Sequence, residues 1–245
     1  MLFEAIYLRL RRRPYDLYDA MANIAMYAGY VAILLVWTPI LFFIYDAIYQ
    51  HALFDLGRES PLSPWLEWTL LIVAEDLCFY CFHRASHRVR LLWASHENHH
   101  SSTSFNFSVA LRQTWTPFLA AFFWLPLPLL GFDPLMILSV QMASLTFQAF
   151  LHTELVGTCG LLGFIFNTPG HHRIHHGADA DCLDRNFGGV FIFWDRLFGS
   201  FHAGRPQRYG IAGKPLSLNP LLIAFAEWKA LLVDSVHWRS KKGNL

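Results

Sequence analysis

Residues 24–45 form a run of 22 positions without Asp, Glu, Lys or Arg, in which Thr38 is the one clearly polar member. A helix rises about 1.5 Å per residue, so this run reaches across a hydrocarbon layer of about 30 Å. Other stretches behave similarly. Residues 65–82 are apolar apart from Glu67, Glu75 and Asp76, and they follow the breaker-rich segment Ser60-Pro61-Leu62-Ser63-Pro64. From Gln113 to Thr153, 41 residues carry a single charge, Asp133, inside the turn-like Gly131-Phe132-Asp133-Pro134, which predicts a hairpin of two spans. With 54% hydrophobic and 15% charged residues and a mean hydropathy of +0.31, the chain is too apolar for an ordinary water-soluble globule. The expected fold is an all-α integral membrane protein with about four transmembrane helices, built as a single membrane domain over residues 1–245.

The distribution of Lys and Arg predicts which way the chain faces, because cytoplasmic loops accumulate positive charge. Four precede the first span, Arg58 lies between the first and second, four (Arg84, Arg88, Arg90, Arg112) lie between the second and third, and ten follow the fourth. A cytoplasmic N-terminus therefore puts 18 of the 19 on the cytoplasmic side. Residues 1–19 contain Arg9, Arg11, Arg12 and Arg13 but no short apolar core with a small-residue cleavage site, so they do not read as a cleaved signal peptide. Residues 159–166 read as an apolar segment at the interface. Asn219-Pro220 marks a helix start, and residues 220–236 read as an amphipathic surface helix.

A net charge of +1 excludes a basic nucleic-acid binder, and no nucleic-acid partner is expected. Cys78 and Cys81 spell C-x-x-C, but they lie mid-span among Phe79, Tyr80 and Phe82 and read as small apolar residues. Histidine is the informative residue: ten of the 13 fall between positions 83 and 176. His51, His202 and His237 read as satisfied core residues.

The remaining ten group as His83-Arg-Ala-Ser-His87, His96-Glu-Asn-His99-His100, His152, and His171 followed by His172-Arg-Ile-His175-His176. Residues three and four apart share a helix face, so each group presents imidazoles in one direction at metal-binding spacing. One ion takes about four such ligands, so nine or ten histidines call for two metals. The same charge count places all of them on the cytoplasmic face, which predicts a cytoplasmic helical cap carrying a di-metal site. On a helical wheel Asp76 falls within about 40° of His83 and His87. Asp76, with Glu75 and Glu154, is therefore expected to receive the second N–H of a ligating imidazole. Arg84 and Arg173 could hold these acids or a lipid headgroup. A metal pair beside spans rich in Phe, Trp and Leu suggests an apolar substrate, with a cavity drawn from Phe105, Phe107, Trp115, Phe118 and the hairpin aromatics.

These residues resemble the membrane fatty acid hydroxylase and sterol desaturase superfamily, whose signature is H-x-x-x-H, H-x-x-H-H, H-x-x-H-H. The context Trp93-Ala-Ser-His96, Ala110-Leu-Arg-Gln113, His152-Thr-Glu154, Asn167-Thr-Pro-Gly170, Asp184-Arg-Asn-Phe-Gly-Gly189 and Trp194-Asp-Arg-Leu-Phe-Gly199 is similar to its alkylglycerol monooxygenase-like branch. The resemblance implies a core of residues 66–202 and a non-haem di-iron centre that uses O₂ to hydroxylate or desaturate a fatty acyl, sterol or ether lipid. It also implies His83, His87, His96, His99, His100, His152, His172, His175 and His176 as ligands. Fatty acid 2-hydroxylases carry one more histidine where this chain has Val156, and His171 is the candidate to replace it. No cytochrome b5-like segment is recognisable, so electrons are expected from a separate cytochrome or ferredoxin, or from a reduced pterin. Either a bacterial inner membrane or the endoplasmic reticulum suits this reading. Two alternatives remain open: a zinc-dependent membrane lipid hydrolase, which would turn over without O₂, and a histidine-lined metal-binding or transport protein, which would place ligands at several membrane depths.

Overall fold

All regular elements in the computed structural model, which describes residues 1–57, 60–211 and 213–242, are helices, joined by two isolated β-bridges, Phe166–Phe191 and Gly177–Tyr209. Helix α1 (Leu2–Leu10) turns Glu4 and Leu8 inward. Asp16 then caps α2 (Leu17–Tyr49), accepting hydrogen bonds from the amides of Tyr18 and Asp19. The 33 residues of α2 extend beyond the uncharged run at both ends. Its N-terminal excess is stable because Asp19 meets Arg112 at 3.0 Å, with both side chains fully buried. Arg112 also donates to Asn23 and to the carbonyls of Asn98 and Ser217, so every arm of the guanidinium is held.

Helix α3 (Pro64–Arg88) starts with proline in its first turn, where the missing N–H costs nothing, and runs unbroken through the second apolar stretch into the first histidine pair. One extended residue, Val89, separates it from α4 (Arg90–His100). The hairpin differs from expectation. Its first arm is a 3₁₀ segment, Pro117–Phe123, followed by the five-residue α5 (Pro126–Leu130), because Pro117, Pro126 and Pro128 each withdraw a backbone donor. Its second arm is α6 (Pro134–Ala149), whose 16 residues reach only about 24 Å. Gly131, at φ +102°, makes the turn in the left-handed region, and Asp133 caps α6. Among the described residues α2 alone is long and apolar enough by itself to cross a membrane. Both arms pack on α2 and α3 through Tyr45, Leu71, Trp124, Leu127, Phe132, Ile137 and Val140.

The remaining segment supplies the second wall of the histidine site. A 3₁₀ turn, Gly160–Phe164, leaves Leu161, Leu162 and Phe164 strongly exposed. Thr168 caps the short α7 (Pro169–His175), and α8 (Phe193–Leu197) follows. Helix α9 (Pro220–Lys242) begins where Asn219-Pro220 predicts, with Asn219 Oδ1 accepting from the amides of Leu221 and Leu222, and it runs past residue 236. Lys214 bridges Glu227 of α9 to Glu97 of α4. His51 is exposed and not a core residue, because it follows the end of α2. His202 is part-exposed and faces Asp181 at 3.7 Å, and the side chain of His237 lies outside the described residues. The four cysteines are free, with Cys81 exposed on α3.

Candidate metal centre

Nine imidazoles converge in two groups, each with its candidate ligand nitrogens within 4.8 Å of one another. The first holds His83, His87, His96, His100 and His175; the second holds His99, His152, His172 and His176. The division does not follow the sequence boxes. Residues i and i+4 of a helix are about 40° apart, whereas i+3 lies about 60° to the other side. His96 and His100 of α4 therefore serve the first group while His99 turns to the second. In the third box His172 and His176 serve the second group and His175 the first. Each box was expected to face one way; the structure shows α4 and α7 exchanging ligands across both groups.

Within the groups the Nε2 atoms approach closely: His83 to His96 at 3.1 Å, His96 to His100 at 3.1 Å, His100 to His175 at 3.1 Å, His99 to His152 at 3.2 Å and His152 to His172 at 3.0 Å. Nitrogens bound about 2.1 Å from a common ion stand about 3.0 to 3.4 Å apart, so the spacing fits metal coordination. Tautomers make the fit specific. His99 Nδ1 donates to the Arg112 carbonyl and His152 Nδ1 to the Gln148 carbonyl. Both Nε2 atoms are then bare lone pairs, and two lone pairs at 3.2 Å repel unless a cation lies between them. His83 and His175 are held the same way by the carbonyls of Phe187 and Arg185. Burial lowers His99 to about 4. Burial and the neighbouring imidazoles hold His96, His100, His172, His175 and His176 well below the ordinary histidine value, so the rings are neutral near pH 7 and able to bind metal.

The acceptors that orient His83, His99, His152 and His175 are main-chain carbonyls and not the expected carboxylates. Asp76 shares a helical face with His83 but lies seven residues away, about 10 Å along the axis. It accepts instead from the amides of Val190 and Phe191 and the indole of Trp194. Asp195, which the sequence reading passed over, takes the amides of Phe187 and Gly188. Together they fix the segment whose Phe187 carbonyl holds His83. Gly189 permits this approach, since a Cβ there would stand 2.7 Å from Asp76 Oδ1. Glu75 accepts from the Trp124 indole at 3.1 Å, within the apolar hairpin core. Glu154 accepts from the Tyr209 hydroxyl, and Tyr209 stacks on Phe105, which stacks on His152. None of the three acids touches an imidazole.

Arg84 donates to the Tyr80 hydroxyl and Arg173 to the carbonyls of Thr153 and Val156, so neither holds an acid. His171 stands outside both groups with its ring against Phe201, and burial beside Arg196 lowers it to about 4. The aromatics expected to line one cavity are dispersed: Phe107 packs on Phe150, Phe118 on Trp37 and Trp115 on Phe225. A cavity of about 390 Å³ does reach the centre, lined by His87, His100, His175, His176, Trp93 and Ile211.

A helical chain with two buried all-histidine groups at metal-binding spacing is the architecture defined so far, and its relatives place it. Residues 68–200, more than half of the chain, match the fatty acid hydroxylase family model, and the chain belongs to that family. Within it, the chain falls in the alkylglycerol monooxygenase-like branch. It is 37% identical to alkylglycerol monooxygenase of Homo sapiens over 179 residues, covering 72% of this chain and 39% of the relative. It is 44% identical to the Danio rerio protein of that name over 144 residues, covering 58% and 32%. To ornithine lipid hydroxylase OlsE of Rhizobium tropici it is 32% identical over 155 residues, covering 59% and 45%. The chain thus spans about a third of the length of the alkylglycerol monooxygenases it matches. No solved structure matches it.

Proposed function

We propose that this chain is a membrane-bound lipid monooxygenase with two iron ions, the first held by His83, His87, His96, His100 and His175 and the second by His99, His152, His172 and His176. The observation that carries this reading is the five-plus-four convergence of neutral imidazoles in a chain of the fatty acid hydroxylase family. Bound iron would supply O₂ activation and electron transfer that no side chain can perform. In the overall reaction one oxygen atom enters a C–H bond of the lipid and the other leaves as water, with two electrons and two protons from a separate donor. The chain's own part is to hold the Nε2 lone pairs inward, through the carbonyls of Phe187, Arg185, Gln148 and Arg112, and to keep water out by packing Trp93 and Phe105 on the rings.

The chain acts as one membrane domain, with a catalytic core of residues 66–202 and with its N-terminus and histidine cap on the cytoplasmic side. The apolar face of α2 supports membrane insertion, since only 6% of its most apolar stretch is buried within the protein. The two hairpin arms, the first of them broken by proline, accompany α2 and α3 into the bilayer as shorter pieces. The names of its relatives point to a lipid substrate, either an alkylglycerol or another amphiphile with an apolar chain.

Metal analysis of anaerobically purified protein, followed by oxygen uptake with reductant and membrane lipids, tests the proposal. About two irons per chain and lipid-dependent uptake support it. Tightly held zinc with turnover indifferent to O₂ overturns it in favour of a hydrolase.

A further inference from the structure

Helix α1 has an uncovered apolar face. Leu2, Phe3, Ile6 and Leu10 are 75%, 78%, 50% and 78% exposed, and at 100° per residue they fall within an arc of about 100°. Glu4 and Leu8 are buried on the opposite side. Arg9, Arg11, Arg12 and Arg13 stand exposed beside the apolar face, and none of them meets a carboxylate among the described residues. An apolar stripe edged by arginines that no carboxylate neutralises has the chemistry of a helix lying in an anionic lipid interface. Its position agrees. At most about 25 Å of chain separates Leu10 from Leu17, where α2 begins, and α2 exposes Leu17, Tyr18 and Met21 from its first turn onward.

The buried side of α1 reaches the metal scaffold. Glu4 Oε1 accepts from the Thr153 hydroxyl at 2.6 Å, and Oε2 accepts from the Phe107 amide at 2.8 Å. Thr153 follows His152 directly. Resting on the membrane reading above, we propose that α1 is an anchor for anionic lipid that lies in the headgroup layer. Through Glu4 it seats the loop that carries His152.

The test uses full-length protein in nanodiscs of phosphatidylcholine, with and without phosphatidylglycerol. Cys78, Cys81, Cys159 and Cys182 are replaced by serine, and an environment-sensitive fluorophore is attached through Ile6→Cys or, separately, Leu10→Cys. The expected result is blue-shifted emission at both positions and quenching by acyl-brominated lipid, strengthened by phosphatidylglycerol. Replacing all four arginines with glutamine should abolish that strengthening, each arginine contributing a factor of roughly five to affinity for an anionic surface. Water-like emission at both positions, unquenched in either lipid, overturns the anchor. The same fluorophore through Val36→Cys on exposed α2 separates the two readings. If Val36 is quenched and α1 is not, only the anchor fails; if neither is quenched, the membrane reading fails with it.

Discussion

His99 and His152 come from segments 53 residues apart, yet their Nε2 atoms stand 3.2 Å from each other while each ring commits its Nδ1 proton to a carbonyl. Removing either ring should empty one cage and spare the other. In His99→Ala the four-histidine cage should bind metal at least about tenfold more weakly, and in His175→Ala the five-histidine cage should do so. Titration with a spectroscopically visible divalent ion distinguishes the cages. Equal loss from both in either single variant would refute the five-plus-four division. His171→Ala should retain both ions.

Asp19 and Arg112 form an ion pair with no exposure on either side, and the same arginine supplies the carbonyl that holds His99. Arg112→Ala leaves a carboxylate buried without its partner, a loss that costs about 3–5 kcal/mol. Thermal unfolding in detergent should show a large drop in Tm. A drop no larger than that of an exposed arginine variant such as Arg13→Ala would contradict the pairing.

Asp76→Asn keeps the shape of the side chain but removes one of the oxygens that accept from Val190, Phe191 and Trp194. The expected destabilisation is about 1–3 kcal/mol. Because Asp76 acts on His83 only through the 187–191 segment, weakened metal binding should be confined to the five-histidine cage. Titrating that cage and its neighbour in the variant measures this directly.

Acidification should destabilise the metal-free protein. The histidines of the cages have depressed values in the folded chain, about 4 for His99, against about 6.5 when unfolded. The unfolded state therefore takes up protons first. Stability is intact above about pH 6.5 and falls as pH drops from there toward 4. Denaturant midpoints of apoprotein across that range check the sign; a midpoint that rises on acidification would contradict it.

The candidate ligand set was legible because imidazoles three and four apart leave a pattern that survives without a structure, and every histidine from His83 to His176 except His171 converges as that pattern requires. Their allocation was not, since the sign of the angular step from His96 to His99, against that to His100, matters only once two helices face each other. Asp76 was misread for a related reason: a helical wheel records angle and discards rise. The carbonyls of Arg112, Gln148, Arg185 and Phe187 carry no side-chain signature, although three of the four fall in segments that resemble the family. The hairpin's first arm shows the limit of hydropathy, which scores Pro117, Pro126 and Pro128 by polarity and ignores their missing donors.

The exchange of ligands between α4 and α7 also sets how the centre can move. Each helix presents two imidazoles to one group and one to the other, so a small rotation of either about its own axis would turn lone pairs away from both groups at the same moment. Under those two rotations the groups share a single mechanical fate. Turning α4 or α7 would tune the pair as a unit, whereas α3, which carries His83 and His87, reaches the five-histidine group alone.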